Sequence, residues 1–199
     1  DIPTDISLNC ILAWQVYLIK VIINRLSQTE YGVFDRDDNT WIKLCSLIKA
    51  IYGENSSADQ IKKILPKMKR GNLELNLSTL GKINFDFEWT DSSKTTASFS
   101  SIAKQILFLY SNLKPVENTI YILIDELELS LKKNKDYQRD LTLIRDLIFA
   151  IESLNEINRT QNYNVHLIAA IRNEVYKNII SKGMEINKII LDFGVTISW

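Results

Sequence analysis

The second half of the chain alternates helix-like and strand-like segments, and this alternation restricts its fold more than any other feature. An amphipathic helix begins at Phe99, and apolar strands follow at Thr119–Ile124 and Val165–Ile171, separated by a long helical stripe. A helix at Glu174–Ser181 and a last strand at Val195–Trp199 complete the pattern. Such alternation is typical of a parallel sheet with helices on both faces. The sequence therefore predicts a three-layer α/β/α domain whose unbroken apolar strands are buried on both sides.

The first half is predicted to be helical. Apolar residues recur at helical spacing through Ser7–Ser27, and a second stripe follows Thr40, a candidate N-cap, and ends at Gly53. Ser57 and Gln60 form a capping box that starts a third, short helix. These helices and the alternating second half are expected to form a single domain over residues 1–199.

Residues 72–89 interrupt this pattern. Apolar and polar residues alternate from Asn72 to Trp89, which is the period of a strand with one face to water. A turn near Leu80–Gly81 would make two strands, so we expect an inserted antiparallel β-hairpin. The polar stretch "TDSSKTTAS" that follows is interpreted as a linker.

The charge balance and the two cysteines exclude few classes of protein. The 24 basic and 24 acidic residues cancel, so bulk charge favours neither nucleic acid nor a membrane surface. Cys10 and Cys45 lack CxxC spacing and are interpreted as reduced core thiols. No uninterrupted apolar run reaches the roughly 20 residues of a membrane span. We expect a cytoplasmic protein that does not enter a membrane.

The stretch "YILIDELELS" contains the acidic residues that are the strongest candidates for a functional site. Parallel sheets place their reactive groups at the carboxyl ends of their strands. Asp125 and Glu126 end one predicted strand, and Arg172 ends the next, so all three should face one crevice. Carboxylate oxygens suit magnesium, and a guanidinium suits phosphate. The alternative is that the acids start a solvated loop or cap a helix, and that Arg172 is a surface arginine.

Three stretches together resemble a known family: "TIYILIDELELS", "VHLIAAIRNEVYKNI" and "VTISW". They are similar to the second half of a bacterial P-loop ATPase module, near the origin-recognition-type AAA+ and STAND ATPases. The resemblance implies ATP and Mg²⁺ as cofactors. It makes Asp125 the magnesium acid of Walker B, Glu126 the catalytic acid that activates water, and Arg172 the phosphate sensor.

Two further polar residues stand near these positions. Glu128 is interpreted as a solvated loop acid, with metal ligation as its alternative. Asn173 is interpreted as the cap of the helix that follows Arg172, a structural role.

The phosphate-binding loop of such ATPases is missing from the sequence. Among the six glycines only Gly81 precedes a lysine, Lys82, and Ile83 stands where GxxxxGK[ST] needs Ser or Thr. We therefore expect this chain to be a piece of a larger ATPase. Its expected partner is the Walker A portion of the same protein. Without the P-loop strand, the strand predicted at Val195–Trp199 would have no neighbour. Self-association and a protein or nucleic-acid effector stay open.

The expected function is ATP-driven conformational switching within the whole protein. The alternative is a degenerate α/β module that no longer hydrolyses ATP and binds a protein partner. A third reading is a nuclease-like site in which Asp125, Glu126 and Glu128 hold a divalent metal. That reading needs a further acid or lysine brought close by the fold.

Overall fold

The structure, a computed structural model, describes residues 4–30, 32–52, 72–74, 96–125, 127, 134–183 and 186–197. These residues form six helices and four short strands. In chain order they are α1 Thr4–Ser27, α2 Asn39–Tyr52, β1 Asn72–Glu74, β2 Thr96–Ser98, α3 Phe99–Tyr110, β3 Ile120–Ile124, α4 Asn134–Thr160, β4 Val165–Ala169, α5 Asn173–Ser181 and α6 Asn187–Phe193.

Strands β3 and β4 form a parallel pair joined by the crossover helix α4. Their register runs from Ile120 opposite Val165 to Ile124 opposite Ala169. A parallel pair needs such a long connection, and the helix supplies it. The α/β class and the parallel pairing of these two strands are therefore confirmed.

The strand predicted at Val195–Trp199 is not formed in its described part. Residues 194–197 follow α6 without strand pairing, and Val195 and Ile197 are 88% and 76% exposed. A strand is stabilised by hydrogen bonds to a neighbour, and none pairs with this segment among the described residues. The prediction of a strand here is wrong for the described residues, because the alternation of apolar residues could not supply a partner.

Only one face of the β3–β4 pair is covered within the described part of the chain. Ile120, Ile122 and Ile124 pack against the core, whereas Tyr121 and Leu123 between them are 64% and 73% exposed. The prediction that this strand is buried on both faces is wrong for these residues. An unbroken apolar run is also compatible with a strand that buries one face here and leaves an apolar face open.

Strand β4 repeats this one-sided arrangement. Val165 and Leu167 are buried, while Ile168 is 49% exposed. His166 lies in the strand predicted above to be buried on both sides, yet it is exposed and stacks on Tyr121 with ring centroids 4.9 Å apart. Within the described part of the chain, helices therefore cover one face of the β3–β4 pair, and the predicted three-layer arrangement is not confirmed.

The covered face rests on a helical core. Helix α1 packs against α3 and α4, and α2 packs against α3. Their apolar stripes meet in fully buried side chains such as Ile22, Ile106 and Leu154. Burying each such side chain contributes about 1.5–3 kcal/mol relative to leaving it in water. Helices α1 and α2, which the sequence predicted in the first half, are therefore part of the domain core.

Helix α1 is the one described helix long and apolar enough to pass for a membrane span, over Cys10–Ser27. Half of that stretch is buried inside the protein against the other helices. Ile19 and Ile22 in it are completely buried. This is the environment of a core helix in a globular domain.

The start of α2 is capped by Asp38 rather than by Thr40. The backbone N–H of Thr40 donates to Oδ2 of Asp38 at 2.9 Å, and Lys114 Nζ lies 2.7 Å from Oδ1. These bonds hold the pKa of Asp38 down, to about 2. Thr40 is already inside the helix, so the predicted cap is off by two positions.

Of the predicted hairpin at residues 72–89, the structure describes only Asn72–Glu74. β1 pairs antiparallel with β2, with Leu73 opposite Ala97. Thr96–Ser98, assigned above to a polar linker, is therefore a strand that leads directly into α3. The hairpin turn and its other strand lie outside the described residues, as does the short helix predicted from Ser57.

Candidate functional site

Asp125 and Arg172 leave the sheet at the same edge. The last ladder bond runs from the N–H of Ala170 to the carbonyl of Ile124, at 2.9 Å. Asp125 is the next residue after Ile124, and Arg172 is the second residue after Ala170. Both side chains are exposed. The sequence prediction that these two residues finish neighbouring parallel strands agrees with this placement.

The other two acids of the motif, Glu126 and Glu128, lie outside the described residues, and their predicted roles remain predictions. Leu127 between them is half-buried and packs against the core. Among the described residues, no three His, Cys, Asp or Glu side chains form a group able to hold a metal. Asp125 offers a hard oxygen ligand of the kind that Mg²⁺ binds, and the further ligands would have to be other residues or water.

Arg172 is the N-cap residue of α5. Its backbone is extended, with φ −67° and ψ 142°, and its carbonyl accepts a hydrogen bond from the N–H of Tyr176 at 3.1 Å. Its side chain makes no cap bond, because a guanidinium has only donors and cannot accept from the N–H groups at a helix start. Asn173, predicted to be the cap, is instead the first residue of the helix. A guanidinium beside a helix N-terminus presents positive charge, which suits an anion.

Helix α5 is fixed in place by a second apolar cluster. Val175 and Ile179 are buried against Leu141, Ile144 and Ile148 of α4. Its last turn ends with the N–H of Gly183 donating to the carbonyl of Ile180 at 2.8 Å, and Gly183 has φ +70°, which glycine adopts without strain. Packing against α4 therefore sets where Arg172 stands at the sheet edge.

The far edge of β4 is held by two asparagines that sequence reasoning missed. The N–H of Ile120 bonds to Asn164, and the N–H of Ala170 bonds to Ile124. In a parallel pair only every second residue of a strand bonds to a given neighbour. The N–H and C=O groups of Val165, Leu167 and Ala169 therefore point away from β3. We call these groups the outer edge of β4.

Asn155 and Asn158 of α4 bond to this outer edge. Asn155 Nδ2 donates to the carbonyl of Leu167 at 2.8 Å, and the N–H of Leu167 donates to Asn155 Oδ1 at 3.0 Å. Asn158 Nδ2 donates to the carbonyl of Val165 at 2.9 Å. Asn158 falls on the apolar stripe of Ile151 and Leu154, and a polar residue on such a stripe was the signal available in the sequence.

Asn158 also joins the outer edge to an aromatic cluster. It accepts a hydrogen bond from Tyr110 Oη at 2.7 Å, and Tyr163 Oη donates to the carbonyl of Leu113 at 2.9 Å. Phe34 packs edge-on against the rings of both tyrosines. Burial raises the pKa of both tyrosines, that of Tyr163 to about 12, so both hydroxyls stay protonated donors at neutral pH.

A shallow groove of about 540 Å³ lies between α4 and α6. It is lined by Phe149, Glu152, Lys188 and Phe193, among others, and by neither Asp125 nor Arg172. The groove is therefore separate from the carboxyl edge of the sheet, where Asp125 and Arg172 stand.

Comparison of the chain with protein-family models, with curated proteins and with solved structures finds no match in any of the three.

Proposed function

We propose that this chain supplies the magnesium-facing and phosphate-facing edge of a P-loop ATPase switch domain. The observation that carries the proposal is the in-register parallel pair β3–β4, which brings Asp125 and Arg172 to one exposed sheet edge. Ligands of parallel sheets bind outside the carboxyl ends of the strands. An acid and an arginine at that edge match the opposite charges of a metal–phosphate group.

Each residue has a distinct role in this proposal. Asp125 holds Mg²⁺, Glu126 orients and polarises the attacking water, and Arg172 binds phosphate oxygens through its planar fork of donors. The bound ion would neutralise charge on the phosphates. Glu128 has no role in hydrolysis, and Asn173 starts α5 behind Arg172.

The proposal also requires a P-loop portion of the same protein as partner. Two open apolar surfaces support this requirement. Tyr121, Leu123 and Ile168 form an exposed row on the sheet, and Val195 and Ile197 are exposed on an unpaired segment. Apolar rows of this kind mark surfaces that another element covers. Further strands and helices would complete the three-layer domain.

In the completed protein, the nucleotide would bias a two-state domain arrangement, and another domain would act on a protein or nucleic-acid effector. We place the protein in the cytoplasm, where ATP is available. The exposed apolar surfaces are also compatible with self-association of this domain.

The test is ATP binding and turnover by the full-length protein with magnesium. Wild type is expected to hydrolyse ATP, and E126Q to bind ATP while losing turnover, because the amide cannot polarise water as the carboxylate does. E128Q is the matched control and is expected to keep wild-type turnover. Absence of nucleotide binding in the wild-type protein would overturn the proposal.

A second candidate is a non-hydrolysing module that binds a protein partner. The exposed row Tyr121, Leu123 and Ile168 favours it, since that surface suits an apolar partner without any nucleotide. The ATP-binding experiment above also distinguishes the two candidates. The binding module is supported if the wild-type protein binds no ATP but forms a complex with a protein partner, and if L123D no longer forms that complex.

A further inference from the structure

Strand β3 has an open outer edge, whereas side chains of α4 bond to the outer edge of β4. Because the N–H of Ile120 bonds to Asn164, Ile120 and every second residue after it face β4. The N–H and C=O groups of Tyr121 and Leu123 therefore point away from β4. No described residue bonds to these groups. We call them the outer edge of β3.

This edge lacks the features that usually keep a strand edge from pairing. Proteins protect an exposed edge with charged side chains, with proline or with a covering element. The sequence of β3, "IYILI", contains no charged residue and no proline. Tyr121 and Leu123 are 64% and 73% exposed. An uncharged and unpaired edge of this kind is a template for a further strand.

The same chain carries a segment suited to such an edge, at residues 194–197. Gly194 begins the segment with extended backbone, φ −86° and ψ 148°. Val195, Thr196 and Ile197 are β-branched, a class of residue enriched in strands. These three residues form no backbone hydrogen bond within the described part of the chain, and the side chains of Val195 and Ile197 are exposed. The segment has the composition of an apolar strand and lacks a neighbour.

We propose that two copies of this chain pair by exchange, with residues 194–197 of each copy added to the outer edge of β3 of the other. The second copy is the partner because each chain carries both halves of the contact. Reciprocal exchange about a twofold axis gives a closed dimer with two identical junctions. Strand addition supplies backbone hydrogen bonds, and it breaks none among the described residues. The inference goes beyond the proposed function, since the pairing needs no nucleotide.

Sedimentation equilibrium of this chain without nucleotide tests the proposal. The mass is expected to approach that of two chains as the protein concentration rises. L123D and I197D should each raise the dissociation constant by more than about tenfold, because each places a carboxylate without a partner in both junctions. Both side chains are largely exposed in the single chain, so the helical content measured by circular dichroism should stay at the wild-type level.

A mixture of the two variants distinguishes exchange from other modes of association. In a mixed dimer one junction carries both substitutions and the other carries none, so combining L123D with I197D should restore dimer. L191D is the control and should dimerise like wild type, because Leu191 is 81% exposed on α6 outside the segment. A wild-type chain that stays monomeric at every concentration would overturn the proposal, as would a monomeric mixture or a monomeric L191D.

Amide hydrogen exchange locates the contact on the backbone. At concentrations where wild type is dimeric, the N–H groups of Tyr121 and Leu123 should gain protection that I197D lacks. The N–H of Ile122 already bonds to β4 and should exchange at the same rate in both proteins. Equal exchange of the Leu123 N–H in dimeric wild type and in I197D would rule out pairing at this edge.

Discussion

Arg145 Nη2 lies 2.6 Å from Oδ1 of Asp146, and Asp146 is completely buried in the middle of α4. Its second oxygen, Oδ2, has no hydrogen-bond partner among the described residues. Burial raises the pKa of Asp146, and the bond to Arg145 opposes that rise without cancelling it. The folded protein therefore holds the Asp146 proton more tightly than the unfolded chain does.

Substitution D146N should remove a pH dependence of stability. Because the folded pKa of Asp146 is raised, its stabilising contribution is complete below the unfolded pKa of about 3.9 and is lost as pH rises through the folded pKa. The free energy of unfolding of wild type relative to D146N should then fall with rising pH above about 4. Urea unfolding at a series of pH values measures this difference.

The matched control for that series is D140N. Asp140 bonds to its own neighbour Arg139, with Nη2 3.0 Å from Oδ1, on the surface of the same helix. If the free energy of unfolding of wild type relative to D146N instead rose with pH, the result would contradict the account.

Removing Asn158 should destabilise the whole domain. N158A leaves the Tyr110 hydroxyl and the Val165 carbonyl without their partner in a buried site. Each such buried group costs about 1–3 kcal/mol, so N158A should lower the free energy of unfolding more than Y110F, which breaks one bond. Urea denaturation measures both, with N112A in the exposed turn after α3 as control. An N158A variant as stable as wild type would show that this network does not fasten β4.

Substitution R172A should impair ATP turnover by the full-length protein. A charged hydrogen bond contributes about 1.5–3 kcal/mol, which corresponds to a roughly ten- to hundredfold loss in kcat/KM. R172K should restore only part of it, because lysine lacks the planar fork. R159A is the control, since exposed Arg159 pairs with Glu156 in the last turns of α4, away from the predicted site. Equal turnover in R172A and R159A would remove Arg172 from the site.

Much of the fold follows from local pattern. The stripes of α1 to α4 bury large side chains at helical spacing, and this signal does not depend on distant residues. The parallel pairing of β3 and β4 follows from the long helix between them. Asp125 and Arg172 could be placed together because each stands at the end of a strand.

What the pattern missed depends on residues distant in the chain. Leu123 and Val165 stand in similar apolar runs, yet Leu123 faces outward and Val165 is buried, because only the helices decide which face is covered. The segment at Val195 pairs with no strand among the described residues, so its alternation alone did not make it a strand. Asn155 bonds to Leu167 across a loop, a pairing that becomes visible only when α4 lies along β4.

The central claim is that Asp125 holds magnesium beside a nucleotide, and calorimetric titration of ATP into the full-length protein tests it most directly. Wild type and D125N are titrated with magnesium and with EDTA. We expect wild type to bind ATP more tightly with magnesium, and D125N to lose that difference while its thermal stability stays within a few degrees of wild type. Magnesium-dependent ATP binding that is unchanged in D125N would contradict the account.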